Sequence, residues 1–294
     1  MHKTEFVEFH ITETCNLTCS GCNRYNNLGL RGHEDWDKNK EHYKKFARFV
    51  EVKSADIIGG EPLQHPHIIT IIKDIRKFFP NSMMNLWTNG LLLDQIPNLK
   101  NAILENNVRL QISIRNKKFR KPILKNINSL FDGDIKFLRK NIKTYLTDGG
   151  PEVKGSYKFE FESNNGVNHR IRLIEHFYQN ALNDPYGLKL KPHESNPDLA
   201  WKACNTRCPT LARGKFYKCP ISHCMPVAVR QRNDIVINDK QRALIGSFPY
   251  IDCEDIDKVS EEHWRKFLQE KIDQCSLCPE KNITQPKGIR QIKR

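Results

Sequence analysis

The residues with the clearest chemical potential are three cysteines near the start of the chain, Cys15, Cys19 and Cys22. Their spacing lets three thiolates from one loop converge on a single metal centre. Three thiolates are one ligand short of a filled iron–sulfur cluster or a structural zinc site. The triad therefore predicts either a cluster with one iron open to another ligand, or a zinc ion whose fourth ligand is a histidine such as His10 or His33.

A second group of cysteines lies far along the chain. Seven occur between residues 204 and 278, and none occurs between residues 23 and 203. Gly214 permits a tight turn that brings Cys204 and Cys219 together, and Cys275 and Cys278 form a C-x2-C pair. Two separated groups predict two metal sites, and for the second a structural zinc is an alternative to an iron–sulfur cluster.

The composition is that of a polar globular protein with metal or redox chemistry. The chain has 294 residues, 38% of them hydrophobic, and a mean hydropathy of -0.64. It contains no run of about 18 apolar residues, so no membrane span is expected. The N-terminal residues MHKTEFVEFH have no apolar core of a signal peptide. We therefore expect a cytoplasmic protein, in which ten cysteines indicate metal binding rather than disulfides.

The charge of the chain is strongly positive. The net charge is +14 and the isoelectric point is about 9.3. This balance favours an anionic partner such as a nucleic acid, a nucleotide or an acidic peptide, although a solvated Lys-rich surface explains it equally well. Ten Lys or Arg residues fall within Arg115–Lys143. The basic tail Lys287–Arg294 is expected to be disordered.

Hydrophobic periodicity predicts alternating strands and helices in the first half of the chain. The predicted strands and helices, in chain order, are strand 5–12, helix 40–52, strand 55–58, helix 67–79, strand 85–88, helix 96–106, strand 108–114 and helix 122–131. Later strands are expected near 135–138 or 142–146 and at 157–162. This order predicts a parallel α/β sheet with its chemistry at the carboxyl ends of the strands. The Pro- and Asn-rich segment 183–198 predicts a boundary between domains 1–190 and 191–294.

The first half resembles the radical S-adenosylmethionine (radical SAM) superfamily over residues 5–146. Four features carry the resemblance: the C-x3-C-x2-C triad, Gly59-Gly60-Glu61-Pro62, Thr88-Asn89-Gly90 and Ser113, each at the end of a predicted strand. The residue before the third cysteine is often aromatic in the family and is Gly21 here, which leaves open what packs against the adenine. The resemblance implies a partial (β/α)6 barrel.

The resemblance also implies roles for these residues. Cys15, Cys19 and Cys22 would ligate a [4Fe–4S] cluster whose fourth iron binds S-adenosylmethionine. The residues expected to bind that cofactor are Gly59, Gly60, Glu61, Asn89, Ser113 and Arg115. Reductive cleavage would yield a 5′-deoxyadenosyl radical that abstracts hydrogen from a substrate. Glu61 could instead cap the next helix.

The cysteine-rich second half resembles the SPASM and twitch extensions of some radical SAM enzymes, the shorter twitch type fitting better. This resemblance implies a small α+β domain with an auxiliary [4Fe–4S] cluster held by Cys204, Cys219, Cys275 and Cys278. Other cysteines of this half keep the ligand set open: Cys208 and Cys224 compete for membership, and Cys253 is expected to be a spare.

The family resemblance predicts an enzyme that oxidises or remodels a C–H bond in a peptide or small polar metabolite, with an external low-potential electron donor. Glu160 and Glu162 are possible substrate contacts. An RNA- or nucleotide-modifying radical SAM enzyme is an alternative. A zinc-stabilised nucleic-acid-binding protein without enzymatic activity is the other. The oligomeric state is not predicted.

Overall fold

The structure is a computed structural model that describes residues 1–19, 22–143, 157–163, 165–173, 177–178, 182–183, 191–204, 207–281, 284–285 and 289–291. Within these residues the strands are β1 (His2–His10), β2 (Leu17–Cys19), β3 (Val50–Ile58), β4 (Met83–Thr88), β5 (Val108–Ile114), β6 (Ile135–Lys143), β7 (Tyr157–Ser163), β8 (Asn168–Leu173), β9 (Phe177–Tyr178), β10 (Leu182–Asn183), β11 (Lys191–Pro192), β12 (Thr210–Ala212), β13 (Lys215–Tyr217), β14 (Tyr250–Asp252), β15 (Thr284–Gln285) and β16 (Ile289–Gln291). The α-helices in the same ranges are α1 (Trp36–Phe49), α2 (Ile68–Phe78), α3 (Leu99–Glu105), α4 (Arg120–Leu130), α5 (Pro197–Ala203), α6 (Pro220–Gln231), α7 (Asp239–Gly246) and α8 (Glu261–Gln269). Among these described helices, none combines the length and apolarity needed to cross a bilayer.

Ten strands form one mixed sheet in the order β14-β13-β12-β1-β3-β4-β5-β8-β7-β6. The strands from β12 to β8 in this order run parallel to their neighbours. The elements β1, α1, β3, α2, β4, α3 and β5 follow one another along the chain, which confirms the predicted alternation and the α/β class with a parallel-rich sheet. The carboxyl ends of β1, β3, β4 and β5 therefore lie at one edge of the sheet.

Antiparallel strands extend the parallel centre on both sides. The predicted strands near 135–146 form the single strand β6, which pairs with β7 rather than with β5. The place beside β5 belongs to β8, because β7 and β8 form a hairpin that enters the sheet. On the other side β12, β13 and β14 continue the sheet from β1, so residues after 191 share the sheet of the first half. The domain boundary at 190/191 stays a prediction.

Helix formation follows from apolar residues at helical spacing and from local caps. In α1 the Asp35 side chain accepts a hydrogen bond from the Lys38 amide at 3.3 Å, while Trp36, Tyr43 and Phe46 face the core. In α2 the buried residues are Ile68, Ile71, Ile72 and Ile75. These faces pack with the central strands in one large apolar core. A second core joins α6 and α7 to the segment that follows Cys22.

The basic tail contradicts one expectation. Residues Ile289–Gln291 form β16, which pairs antiparallel with β2, so this part of the tail is not disordered. Backbone pairing rather than composition decides this, because β2 offers an edge whose amides and carbonyls need partners. The tail thereby lies against the loop that carries Cys19.

Candidate functional site

The three N-terminal cysteines converge on one cavity at the carboxyl edge of the parallel strands. The cavity has a volume of about 220 Å³, and Cys15, Cys19 and Cys22 all line it. Its wall also includes other residues singled out from the sequence, namely Gly59, Gly60, Asn89, Ser113 and Arg115. Residues from the ends of three neighbouring strands thus meet the cysteine loop, as the parallel arrangement predicts. Glu61 is the one predicted cofactor residue that does not line this cavity.

Gly59 and Gly60 are needed because two backbone segments approach each other closely. A Cβ on Gly59 would lie 2.5 Å from the Thr12 carbonyl oxygen, and one on Gly60 would lie 2.6 Å from the Thr14 carbonyl carbon. Backbone hydrogen bonds close this contact, from the Gly60 amide to Thr12 at 2.7 Å and from the Glu61 amide to Thr14 at 2.8 Å. The absent side chains therefore admit the loop that leads into Cys15, while both glycines still line the cavity.

Glu61 ties the end of β3 to the end of β4. Its fully buried carboxylate accepts hydrogen bonds from the Thr88 hydroxyl at 2.7 Å, the Asn89 amide at 2.7 Å and the Leu63 amide at 3.2 Å. Burial raises the pKa of Glu61 to about 7, against the opposing effect of the hydrogen bonds from Asn89 and Thr88. These three donors occupy the carboxylate in a structural role, and a contact with the cofactor stays a prediction.

Two thiols of the triad, those of Cys15 and Cys19, lie in a setting that disfavours thiolates unless a metal binds. Burial raises the pKa of Cys15 well above its usual range, and the Glu61 carboxylate raises it further. Burial also raises the pKa of Cys19 to about 11, although the Arg115 guanidinium lowers it. Because the thiolate is the metal ligand, a positively charged centre would have to supply the missing compensation. The buried donor set therefore fits a metal cluster.

The loop around the triad is braced by polar side chains. Asn89 donates from Nδ2 to Asn16 Oδ1 at 2.6 Å, which links the end of β4 to the loop between Cys15 and Cys19. Asn26 donates to the Glu13 carbonyl, and the Cys22 thiol lies 3.6 Å from Asn26 Oδ1. Loop and strand ends are thereby held together before any cofactor arrives.

A buried ion pair in the cavity wall was not predicted from the sequence. Arg24 donates to Glu8 Oε2 at 2.6 Å, with both side chains at most one-tenth exposed. Both residues line the cavity. The available signal was Glu8 itself, a carboxylate inside a central strand whose neighbours on both sides are paired.

Trp87 and Arg172 were also missed as site residues. Trp87 lines the cavity and donates from Nε1 to Asp56 Oδ2 at 2.8 Å. Arg172 pairs with Ser113 in the sheet, so its side chain lies on the cavity-facing side, with its guanidinium 5.4 Å from the Trp87 ring centre. Polar residues at alternate positions of strands buried on both faces were the signal that could have found them.

Among the described residues, neither histidine considered as a zinc ligand forms a close ligand group with the cysteine triad. His33 Nδ1 lies 3.0 Å from the Thr12 hydroxyl. His10, His223 and Cys224 are buried, with potential ligand atoms within 4.8 Å of one another. The Arg24 guanidinium lies 3.3 Å from His10 Nδ1, and its positive charge disfavours a cation there. His10 Nε2 has no hydrogen-bond partner among the residues that the structure describes, so hydrogen bonding accounts for only part of this cluster.

Four cysteines of the second group share another, smaller cavity. It has a volume of about 50 Å³, and its wall includes Cys204, Cys219, Cys275 and Cys278. Cys208, Cys224 and Cys253 are not among its lining residues. The turn between β12 and β13 precedes Cys219, with Gly214 in the left-handed region at φ 73°. The structure therefore brings together the four cysteines that the twitch resemblance selected.

The surroundings of this second cavity are cationic. Lys218 and Arg207 both line it, and Lys218 is only 4% exposed. Burial raises the pKa of Cys219 to about 11 and that of Cys278 well above its usual range. A centre bound by four thiolates carries net negative charge, which these two cations would offset.

Comparison with known proteins agrees with this geometry. The family model described as Radical SAM superfamily matches residues 9–155, which is half of the chain. GTP 3′,8-cyclase of Moorella thermoacetica is 29% identical over 112 residues, covering 37% of this chain and 34% of that protein. GTP 3′,8-cyclase of Clostridium botulinum is 30% identical over 163 residues, covering 52% of this chain and 46% of that protein. The similarity thus spans less than half the length of these relatives.

Two solved structures are similar to part of this chain. One is BtrN in complex with AdoMet and 2-DOIA, at 18% identity and a TM-score of 0.30, covering 39% of this chain and 47% of that one. The other is native anSMEcpe with bound AdoMet and Cp18Cys peptide, at 14% identity and a TM-score of 0.35, covering 45% of this chain and 41% of that one. At TM-scores this low, neither likeness bears on function. The family match over half the chain, together with a cysteine triad that lines one cavity with the strand ends, shows that this chain belongs to the radical SAM superfamily of enzymes, which cleave S-adenosylmethionine reductively.

Proposed function

We propose that Cys15, Cys19 and Cys22 hold a [4Fe–4S] cluster and that S-adenosylmethionine occupies the adjoining cavity, at the end of a partial (β/α)6 barrel. The observation that carries this proposal is the convergence of the three cysteines with the ends of β3, β4 and β5 on one cavity. When bound, the two groups together supply one-electron reductive cleavage, with an external low-potential donor as the electron source. The chain's own residues bind, orient and shield them.

Cationic and hydroxyl groups mark where the carboxylate of the cofactor would bind. Ser113 is 6% exposed in the cavity wall, Arg115 lies two residues further along, and Arg172 lies beside Ser113 on the next strand. Guanidinium and hydroxyl groups on one face of the sheet suit a carboxylate. The backbone of Gly59 and Gly60 would line the methionine end, since no side chains intervene.

We assign an auxiliary [4Fe–4S] cluster in a twitch-like extension to Cys204, Cys219, Cys275 and Cys278. Their shared cavity and the cations Lys218 and Arg207 support this set over Cys208, Cys224 and Cys253. A saturated cluster suits electron transfer rather than cofactor binding. Structural zinc is the competing occupant, because it accepts the same four thiolates.

The substrate we favour is a small anionic molecule of the nucleotide class, handled in the cytoplasm. Arg109, Arg170 and Arg172 lie on the cavity-facing side of β5 and β8, with Glu160 3.4 Å from Arg170. Such a cationic face suits phosphate or carboxylate groups. The relatives named GTP 3′,8-cyclase support a nucleotide over the peptide or other polar metabolite expected from the sequence.

Metal analysis and cofactor cleavage test the two cluster assignments separately. Anaerobically reconstituted, reduced protein should contain iron and sulfide and convert S-adenosylmethionine to 5′-deoxyadenosine and methionine. Cys19→Ala should abolish this conversion, because it removes a ligand of the first site. Cys219→Ala should retain cofactor cleavage but lose part of the iron and turnover of the true substrate.

Cys253→Ala is the matched control for both cysteine variants. Cys253 is fully buried yet lies outside both cavities, so iron content and cofactor cleavage should stay at the wild-type level. Continued formation of 5′-deoxyadenosine by Cys19→Ala, or zinc in place of iron at the first site, would contradict the proposal. Incubation with nucleotide mixtures, compared with an RNA mobility shift, separates the nucleotide from the nucleic-acid alternative.

A further inference from the structure

Trp87 brings an aromatic ring to the wall of the first cavity. Among the described residues that line this cavity, no other side chain is aromatic. The side chain of Trp87 is partly exposed there, whereas its neighbours in the strand, Leu86 and Thr88, are buried. Planar bases bind to proteins by stacking on aromatic rings. The indole is therefore available to a base that enters the cavity.

Hydrogen bonds fix the orientation of this ring. The indole Nε1 donates to Asp56 Oδ2 at 2.8 Å. The other carboxylate oxygen of Asp56 accepts from the Ser54 hydroxyl at 2.8 Å and from Asn85 Nδ2 at 2.7 Å. These two donors hold the carboxylate, which in turn holds the indole. A ring fixed in this way loses little conformational freedom when a ligand packs against it.

Gln111 adds an unpartnered acceptor on the same face of the sheet. It is the partner of Trp87 in the pairing of β4 with β5, so the two side chains project from the same face. Asn85 directs its Nδ2 at Asp56, and its Oδ1 accepts from Gln111 Nε2 at 3.0 Å. The remaining amide atom of Gln111, Oε1, is buried and has no hydrogen-bond partner among the described residues. Because Gln111 is only 3% exposed, this oxygen needs a donor from outside the protein.

Arg172 adds an unpartnered donor on the next strand. Its guanidinium lies 5.4 Å from the centre of the Trp87 ring. Its Nε atom is buried and has no hydrogen-bond partner in the described part of the chain. The ring, the acceptor and the donor thus lie on the adjacent strands β4, β5 and β8. A nucleobase combines a planar face with an edge that both donates and accepts hydrogen bonds, which matches these three groups.

We infer that Trp87 is the stacking surface for a nucleobase in this cavity and that Gln111 and Arg172 contact the edge of that base. The inference rests on the proposed binding of S-adenosylmethionine and of a nucleotide at this site. Two bases of the same chemistry belong to the proposed reaction, the adenine of the cofactor and the base of the substrate. The experiment distinguishes between them.

Equilibrium dialysis with anaerobically reconstituted full-length protein tests the inference. Trp87→Leu should bind S-adenosylmethionine or GTP about tenfold more weakly, because the stacked face is lost. Methionine and inorganic triphosphate are the matching probes without a base, and their affinities should not change. Trp87→Phe should recover most of the loss, because phenylalanine keeps a ring and loses only the bond to Asp56. A loss confined to S-adenosylmethionine assigns the ring to the adenine, and one confined to GTP assigns it to the substrate.

Trp36→Leu is the matched control. The Trp36 indole also donates to a carboxylate, from Nε1 to Asp74 Oδ2 at 2.8 Å, but it lies outside the cavity, so all four affinities should stay at the wild-type level. Gln111→Met serves if Trp87→Leu loses its iron. It removes the acceptor at a similar side-chain length and should weaken the same ligand about fivefold.

Two results overturn the inference while leaving the proposed function standing. One is a Trp87→Leu protein that keeps its iron and binds both S-adenosylmethionine and GTP as the wild type does. The other is an equal loss for the probes without a base, which would show a general distortion of the cavity. Wild-type protein that binds neither S-adenosylmethionine nor GTP contradicts the proposed function itself, and the inference falls with it.

Discussion

The sharpest prediction concerns Gly60→Ala, which adds one methyl group where two backbone segments touch. The new Cβ would lie 2.6 Å from the Thr14 carbonyl carbon and 2.9 Å from Asn26 Nδ2. Backbone atoms cannot rotate away as a flexible side chain can. To restore ordinary van der Waals contact, the segment after β3 and the loop before Cys15 must separate by roughly 1 Å.

The expected cost combines overpacking with weakened hydrogen bonds. Overpacking costs about 1–3 kcal/mol. The bonds from the Gly60 amide to Thr12 and from the Glu61 amide to Thr14 would be stretched, at about 1 kcal/mol each. We therefore expect the free energy of unfolding to fall by about 3–5 kcal/mol, which lowers Tm by on the order of 10 °C in a chain of this size.

Differential scanning fluorimetry of the apoprotein and iron analysis after reconstitution measure this prediction. Because Thr14 precedes Cys15, the displaced loop should also bind less iron. Gly246→Ala is the matched control: it makes the same substitution at the end of α7, where no atom lies within 4 Å of the added Cβ, and should be neutral or slightly stabilising. A Gly60→Ala protein with the Tm and iron content of the wild type would refute the reasoning.

Two further predictions address buried titratable side chains. Burial, helped by the Arg109 charge, lowers the pKa of His169 to about 4, and the neutral ring accepts a hydrogen bond from the Leu110 amide. The neutral ring therefore stabilises the fold above the usual histidine pKa of about 6.5. As the pH falls toward 4, this contribution of about 3 kcal/mol to the free energy of unfolding is lost. The fall in Tm between pH 7 and pH 4 should be smaller in His169→Asn, and equal slopes would count against this assignment. Arg24→Met should cost about 3–5 kcal/mol because it strands the buried Glu8 carboxylate. In urea denaturation, adding Glu8→Gln should restore part of that loss, and purely additive losses would contradict the pairing.

Local patterns were sufficient to predict the order of the elements from β1 to α4 and a loop in which three cysteines line one cavity. Apolar spacing identified α1, α2 and α4, and the strands ending near Gly59, Asn89 and Ser113 were placed correctly at one edge. These features depend on residues close together in the chain, where side-chain periodicity and turn chemistry act directly. The family match agrees with that analysis.

Long-range contacts decided what individual residues do. The sequence cannot show that Glu61 would be occupied by donors at the end of β4, or that β8 would take the place beside β5. Nor does it show that Arg24 would meet Glu8 in the cavity wall. Each outcome depends on which distant segments pack together, and many pairings satisfy the same local pattern.

The second cysteine group shows where the two kinds of information divide. Spacing alone predicted a second metal site but could not choose among seven cysteines. Tertiary structure brings four to one cavity and leaves Cys253 in an apolar core. The number and spacing of the cysteines determine that metal ligation is the available chemistry. The packing of distant segments determines which thiols can share one metal site, because ligation requires proximity in space rather than in sequence.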